Sequence, residues 1–381
     1  MALRAEMFGG VGRALSSPHY RLYACGHIAN VFGWWGNRLG LGWLTWELTQ
    51  SYGWLGIVTF AGMMPVTLVS PIAGVFADRY GHRKMSIIAC AAGGAITLSL
   101  ALLTLAGLMT VPLLIALAVL QGIAFGTEFP ARQALIPQLC ARENIPAALA
   151  FNSTTFQIGT FIGPVLASWL ITHYGSGAAI MMYAGSNFWM VLMLSLLRYR
   201  SPAGVQREAL GFVAELRAGF RYIAVTPALR LLFVVSTISG VLLRPYQDLM
   251  PGFAASVFGG GPDALGHLMA AAGFGALTTG VFLAFRGRAR GLVRIMLFGT
   301  VVGGLALAAF AMMTDLTFGI GVLAEHTFGD IDTWVYAVPF AYHRGPWKLY
   351  AAPGIEDGEE GSESLLRLGA EHGFEVGEWE I

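Results

Sequence analysis

Apolar positions run along this chain in long blocks, not in the alternation of a half-buried strand, and short polar turns divide the blocks. Nine blocks can be counted, roughly 22–48, 53–77, 85–108, 111–129, 147–172, 174–197, 231–257, 264–285 and 294–314. A helix crosses the bilayer core with about 20 mostly apolar residues. The pattern therefore predicts an all-α polytopic membrane protein with about nine transmembrane helices.

The turns alternate in charge. Basic sites at Arg4/Arg13/Arg21, Arg79/Arg83/Lys84, Arg142, the 198–230 segment and 286–294 fall at every second turn. The turns near Thr49, Thr110, Tyr174, Gly260 and Asp315 carry no Lys or Arg. Short basic loops stay on the cytoplasmic side, so the N-terminus is expected in the cytoplasm and the chain in the plasma (inner) membrane. Residues 1–20 lack the apolar stretch and small-residue cleavage site of a secretory signal, and the first span is expected to act as an uncleaved anchor.

Two irregularities divide the chain. The segment 198–230 carries Phe212, Leu216, Phe220 and Ile223 at helical spacing among Arg and Glu, which predicts an amphipathic helix at the cytoplasmic interface. After Asp315 the stretch "LTFGIGVLA" is too short to span before Glu325, His326, Asp330 and Asp332 arrive, so the tenth helix is expected to be missing. The division is 1–197, a six-helix transmembrane half; 198–230, the linker; 231–315, a partial second half of helices 7–9; and 316–381, a non-membrane tail. That tail is acidic, with 12 Asp/Glu against 3 Lys/Arg over residues 324–381.

Composition agrees. Charged residues make up 12% and hydrophobic residues 56%, against roughly 25% and 45–50% in soluble domains. The 50 glycines suit closely packed transmembrane helices. Cys25, Cys90 and Cys140 lie in or beside apolar runs and suggest no disulfide framework. No zinc spacing, phosphate-binding P-loop or nucleophile elbow is present, so no catalytic residue, metal, cofactor or nucleic-acid partner is expected, and no enzyme. His326, Asp330, Asp332 and His343 lack ligand spacing.

The densest polar cluster is "GVFADRYGHRK", residues 74–84, between the second and third spans. Its minimum role is a positive-inside anchor, but an anchor requires neither the Asp nor the glycines. Gly74, Asp78, Arg79, Gly81, Arg83 and Lys84 match the pattern G-x-x-x-D-R-x-G-R-[RK], and on them the chain resembles the major facilitator superfamily over residues 17–315. The run Pro130–Leu135 followed by "NIPAALAFNS" is similar to its enterobactin-exporter-like branch. The resemblance implies a loop that latches two halves when the cytoplasmic side is closed. In it Gly74 would allow close helix contact, Gly81 a tight turn, and Asp78 a carboxylate among cations.

Other positions follow from the same comparison. The fourth-helix pattern R-x-x-Q-G keeps Gln121 and Gly122, but Ala118 stands in place of the Arg, so proton handling by that Arg is not carried over. Gly159, Gly163 and Pro164 match the G-x-x-x-G-P part of an antiporter motif, implying close packing and a kink. Glu128 and Arg132, four apart at the end of helix 4, are expected either to join the network around Asp78 or to be solvated charges.

Charged groups within spans are costly and mark functional candidates. Asn37 and Arg38 lie mid-span in helix 1, with Trp34 and Trp35 beside them, and Glu47 lies near the outer end. Arg244 and Asp248, four apart in helix 7, read either as a self-neutralising pair or as a gating or coupling element. The expected function is a secondary active exporter of a small amphipathic compound, drug-like or siderophore-like, acting by alternating access in the lipid bilayer; the resemblance also admits proton coupling. The alternatives are a truncated or rearranged non-transporting relative and a membrane platform for a small C-terminal module.

Overall fold

The computed structural model of the chain describes residues 15–197, 245–286, 292–329, 340–342 and 349–351, with isolated positions at 12, 221, 224, 225, 230, 233, 234, 237 and 240; side chains are described except at 280–297, 322 and from 324 on. Arg244, most of the 198–230 linker and the acidic end of the tail lie outside the described residues.

The first six helices are α1 (Pro18–Thr49), α2 (Tyr52–Tyr80), α3 (His82–Leu105), α4 (Val111–Leu139), α5 (Ile145–Tyr174) and α6 (Ser176–Leu196). Then come α7 (Tyr246–Gly252), α8 (Pro262–Arg286), α9 (Leu292–Ala311) and α10 (Leu316–Gly329). A two-stranded antiparallel pair, β1 (Phe340–Tyr342) and β2 (Leu349–Ala351), follows them. Five segments, α2, α3, α4, Arg142–Tyr174 and α6, are each long and apolar enough to cross a membrane.

Helix ends have local causes. Ser17 caps α1, accepting from the Tyr20 N–H at 3.4 Å and donating to the Leu139 carbonyl at 2.6 Å, with Pro18 in the first turn. α2 and α3 meet at Gly81, whose φ of +94° a side chain would strain, so the expected tight turn is present there. α4 runs ten residues past the expected end at Phe129, through Pro130 and Pro137. A transmembrane helix tolerates proline where neighbours satisfy the freed backbone groups.

Helix resumes after Asp315, in the stretch that is too short to span. Asp315 Oδ1 accepts from the N–H groups of Thr317, at 2.8 Å, and Phe318, at 3.3 Å, and so caps α10. Its 14 residues make about 21 Å of helix, short of the ~30 Å hydrocarbon core. The helix nonetheless packs on α8 and α9, with Leu323 buried and Gly319 against Phe258 and Phe310. Its length was judged by spanning alone, whereas packing keeps it.

Lipid competes with every apolar contact, so small residues decide which helices approach. Gly26, Gly33 and Gly40 of α1 lie against Met190, Ser186 and Ile180 of α6. Gly122 and Gly126 bring α4 onto the backbone of α2 at Gly62 and Val66. Gly266 and Gly273 of α8 lie against Ser168 and Thr160 of α5. The last pairing joins the six-helix part to the later helices. One buried cluster crosses the same boundary: Trp35, Leu39 and Trp43 of α1, Ile171 of α5, Met250 of α7, Leu268 of α8, Phe310 and Leu323.

Candidate functional site: a cavity between two helical halves

A cavity opens where α1, α2, α4 and α6 face α7 and α8. Its walls are mainly apolar: Trp34, Leu41, Val58, Met63, Phe125, Pro251, Leu265 and Met269. Asn37, Arg38, Gln121, Gln247 and Asp248 supply polar groups. A mostly apolar concavity with a few convergent polar groups is the usual form of a small-molecule site.

The charged pair spans the two halves. Arg38 Nη2 of α1 donates to Asp248 Oδ1 of α7 at 2.9 Å, and both side chains are about three-quarters buried, at 25% and 27% exposure. The guanidinium carbon also lies 5.4 Å from the Trp34 ring centre and 5.6 Å from that of Trp35, a cation–π geometry. Arg38 has no acid near it in sequence and finds one on another helix. Arg244, the partner that sequence spacing offers Asp248, lies outside the described residues.

Beside the pair sits a reciprocal amide bridge. Asn37 Nδ2 donates to Gln121 Oε1 at 3.1 Å, Gln121 Nε2 donates back to Asn37 Oδ1 at 3.2 Å, and it also donates to Thr97 Oγ1 at 2.8 Å. The bridge fixes both amides on the cavity wall and ties α1, α4 and α3 together. Thr97 was not foreseen, because nothing in the helix 3 sequence sets this threonine apart from its neighbours.

Contacts between the halves gather toward the end whose loops lack Lys and Arg. Tyr52 Oη and Ser256 Oγ are 2.8 Å apart, and Thr172 Oγ1 donates to Asp263 Oδ1 at 2.7 Å. The Tyr52 ring lies edge-on to Trp46 and to Phe253, the latter in a π-turn, Phe253–Val257, that follows Pro251 and Gly252. A π-turn in a helix often marks a functional site. At the same end Glu47 accepts from the Trp43 indole at 2.8 Å and from the Ser176 hydroxyl at 2.6 Å, closing α1 onto α6.

The 74–84 loop is held at the opposite end. Arg83 donates to the carbonyls of Leu194, at 2.8 Å from Nε, and Ser195, at 2.9 Å from Nη2. It thereby places a cation on the orphan carbonyls at the C-terminus of α6. Asp78 is 78% exposed and meets His82 Nε2 at 3.4 Å. Arg79 lies over the Tyr80 ring and Lys84 is exposed. Gly74 makes no close helix contact among the described residues, since no atom lies within 4 Å of where its Cβ would stand.

Glu128 and Arg132 do not join that loop. Arg132 Nη1 lies 2.7 Å from Glu128 Oε1 and donates to Asn30 Oδ1 at 2.6 Å, and Asn30 Nδ2 donates to Asn187 Oδ1 at 3.1 Å. Both charged side chains are more than nine-tenths buried, so the solvated alternative is also corrected. Charges four apart at a helix end do not reveal that α1 and α6 will cover them. Gly159 and Gly163 do what close packing requires: side chains there would meet Val31 and Trp35 of α1. Pro164 sits buried inside α5.

Comparison with known proteins adds the remaining information. The family described as transmembrane secretion effector matches residues 14–338. The chain is 25% identical over 276 residues to the staphyloferrin A transporter of Staphylococcus aureus, covering 72% of this chain and 69% of that protein. It is 29% identical over 304 residues to the enterobactin exporter of Escherichia coli, covering 77% and 67%. It is 26% identical over 282 residues to the multidrug efflux pump Tap of Mycolicibacterium fortuitum, covering 72% and 68%. Among solved structures, the nucleoside transporter NupG superposes with a TM-score of 0.61 at 16% identity, covering 84% of this chain and 82% of that one. A bacterial homologue of the lysosomal transporter Spinster superposes with 0.60 at 14% identity, covering 84% and 75%.

Proposed function

The chain belongs to the transmembrane secretion effector family of the major facilitator superfamily, and from that membership as a multi-pass membrane transporter we propose that it exports a small amphipathic compound by alternating access. The observation that carries this reading is the cavity whose walls come from both halves and whose charged pair, Arg38 and Asp248, joins them. Relatives that carry siderophores or drugs lend it support.

In this account the substrate enters from the cytoplasm and lies against Trp34 and Phe125, with Asn37 and Gln121 offering neutral hydrogen bonds. Parting Arg38 from Asp248, Tyr52 from Ser256 and Thr172 from Asp263 opens the other end. The loop Gly74–Lys84 then closes the cytoplasmic side, Asp78 supplying the carboxylate of the latch. Asp78 is 78% exposed beside His82, and Gly74 leaves room for a helix to approach.

The test is flux in everted inner-membrane vesicles with a panel of lipophilic drugs and siderophores, comparing the full chain with Asp78→Asn. The reading expects uptake into everted vesicles that Asp78→Asn abolishes at equal expression. Well-inserted protein that moves nothing on the panel overturns it.

A further inference from the structure

What the cavity accepts follows from the unequal ways in which its two charges can exist apart, and the argument rests on the transporter reading above. A carboxylate freed of its partner can take up a proton, whereas a guanidinium stays charged at any physiological pH. Within largely apolar walls, an unpaired Arg38 is therefore the costly product of separating the pair.

Geometry divides the pair in the same direction. Arg38 is fixed in the six-helix half, on a helix packed along α5 and α6, with two indole rings within 5.6 Å of its charge. Asp248 sits on the seven-residue α7, between Pro245 and Pro251 and just before the π-turn. Of Arg38's five donors, the described contacts use one, Nη2. Among the described residues lining the cavity, the charged side chains are Arg38 and Asp248.

We propose that Arg38 is the substrate-recognition group and that the cavity takes an amphipathic anion, an aromatic carboxylate or a comparable planar acid. The acid's oxygens replace Asp248 on the guanidinium, whose planar fork matches a carboxylate. The aromatic body lies against Trp34 and Phe125. Asp248 is then the internal stand-in for the substrate, keeping Arg38 paired while the cavity is empty.

The proposal predicts opposite signs for two neutral substitutions. Binding of naphthoate and of the matched cation naphthylmethylammonium to the purified full chain is measured by isothermal titration calorimetry in detergent. The wild type should bind naphthoate in preference to the ammonium. Arg38→Gln should weaken naphthoate by roughly tenfold or more, the scale of a lost charge-assisted bond, with Arg38→Lys intermediate. Asp248→Asn should tighten naphthoate, because it removes the competing carboxylate.

Preference for the ammonium, with its loss in Asp248→Asn, overturns the proposal, as does absence of naphthoate binding by protein whose thermal melt shows it folded. Should Arg38→Gln not fold, the sign of the Asp248→Asn effect decides alone. The binding measurement is separate from flux. A chain that binds naphthoate but transports nothing sinks the exporter reading and leaves this one standing; a chain that exports only cations does the reverse.

Discussion

Arg38 and Asp248 stand 210 positions apart in sequence and 2.9 Å apart in the fold. The contact makes one feature serve twice, as a polar patch on the cavity wall and as a clamp between α1 and α7. Its two sides are mounted unequally, Arg38 on the long α1 and Asp248 on the seven-residue α7 just before the π-turn.

The clamp should be visible as coupling. In a double-mutant cycle of Arg38→Ala and Asp248→Ala, read by thermal unfolding in detergent, the double variant should lose less than the two singles together. The difference should be roughly 0.5–3 kcal/mol, the range for residues in contact. Strict additivity would mean that the ion pair contributes nothing to holding the halves.

Arg83 should matter to stability in a way its neighbour Lys84 does not. Arg83→Gln uncaps the Leu194 and Ser195 carbonyls, an expected loss of about 1–2 kcal/mol. Lys84→Gln, on an exposed side chain, should stay within about 0.5 kcal/mol. Amide hydrogen exchange should quicken in the last turn of α6 in the first variant only.

Glu128 and Arg132 form a buried pair that is worse broken than absent. Glu128→Gln or Arg132→Met alone leaves one charge without its partner, at an expected cost of about 3–5 kcal/mol. The combined variant should recover part of that loss. Silent single variants in the unfolding assay would contradict the burial described here.

Much of the fold was legible because membrane spans are written in long apolar blocks and their order in the charge of the loops. α1 to α6 begin and end within a few residues of expectation except at α4, which continues through Pro130 and Pro137 past the expected end at Phe129. The stretch after Asp315 reads as too short to span, and there Asp315 caps a further, 14-residue helix. In both cases a local signal gave way to packing that the local sequence does not contain.

The site was legible in its parts but not in its pairings. Asn37, Arg38 and Asp248 stood out because polar groups inside a span are costly. That Arg38 meets Asp248, that Asn37 meets Gln121 and Thr97, and that Glu128 and Arg132 turn inward to Asn30 depend on which helices lie side by side. Those choices are made by glycines such as Gly33 and Gly122, whose partners lie on distant helices.

The most direct test of alternating access is to tie the halves together where they meet. In a background with Cys25, Cys90 and Cys140 replaced by alanine, Thr172→Cys and Asp263→Cys place one thiol on α5 and one on α8, at a contact of 2.7 Å in the native side chains. A short, reductant-cleavable bifunctional thiol reagent would then join them in vesicles, and flux of a transported compound would be followed before and after reduction. The account predicts that flux stops when the link forms and returns when it is cut. Flux that continues through a complete link would contradict it.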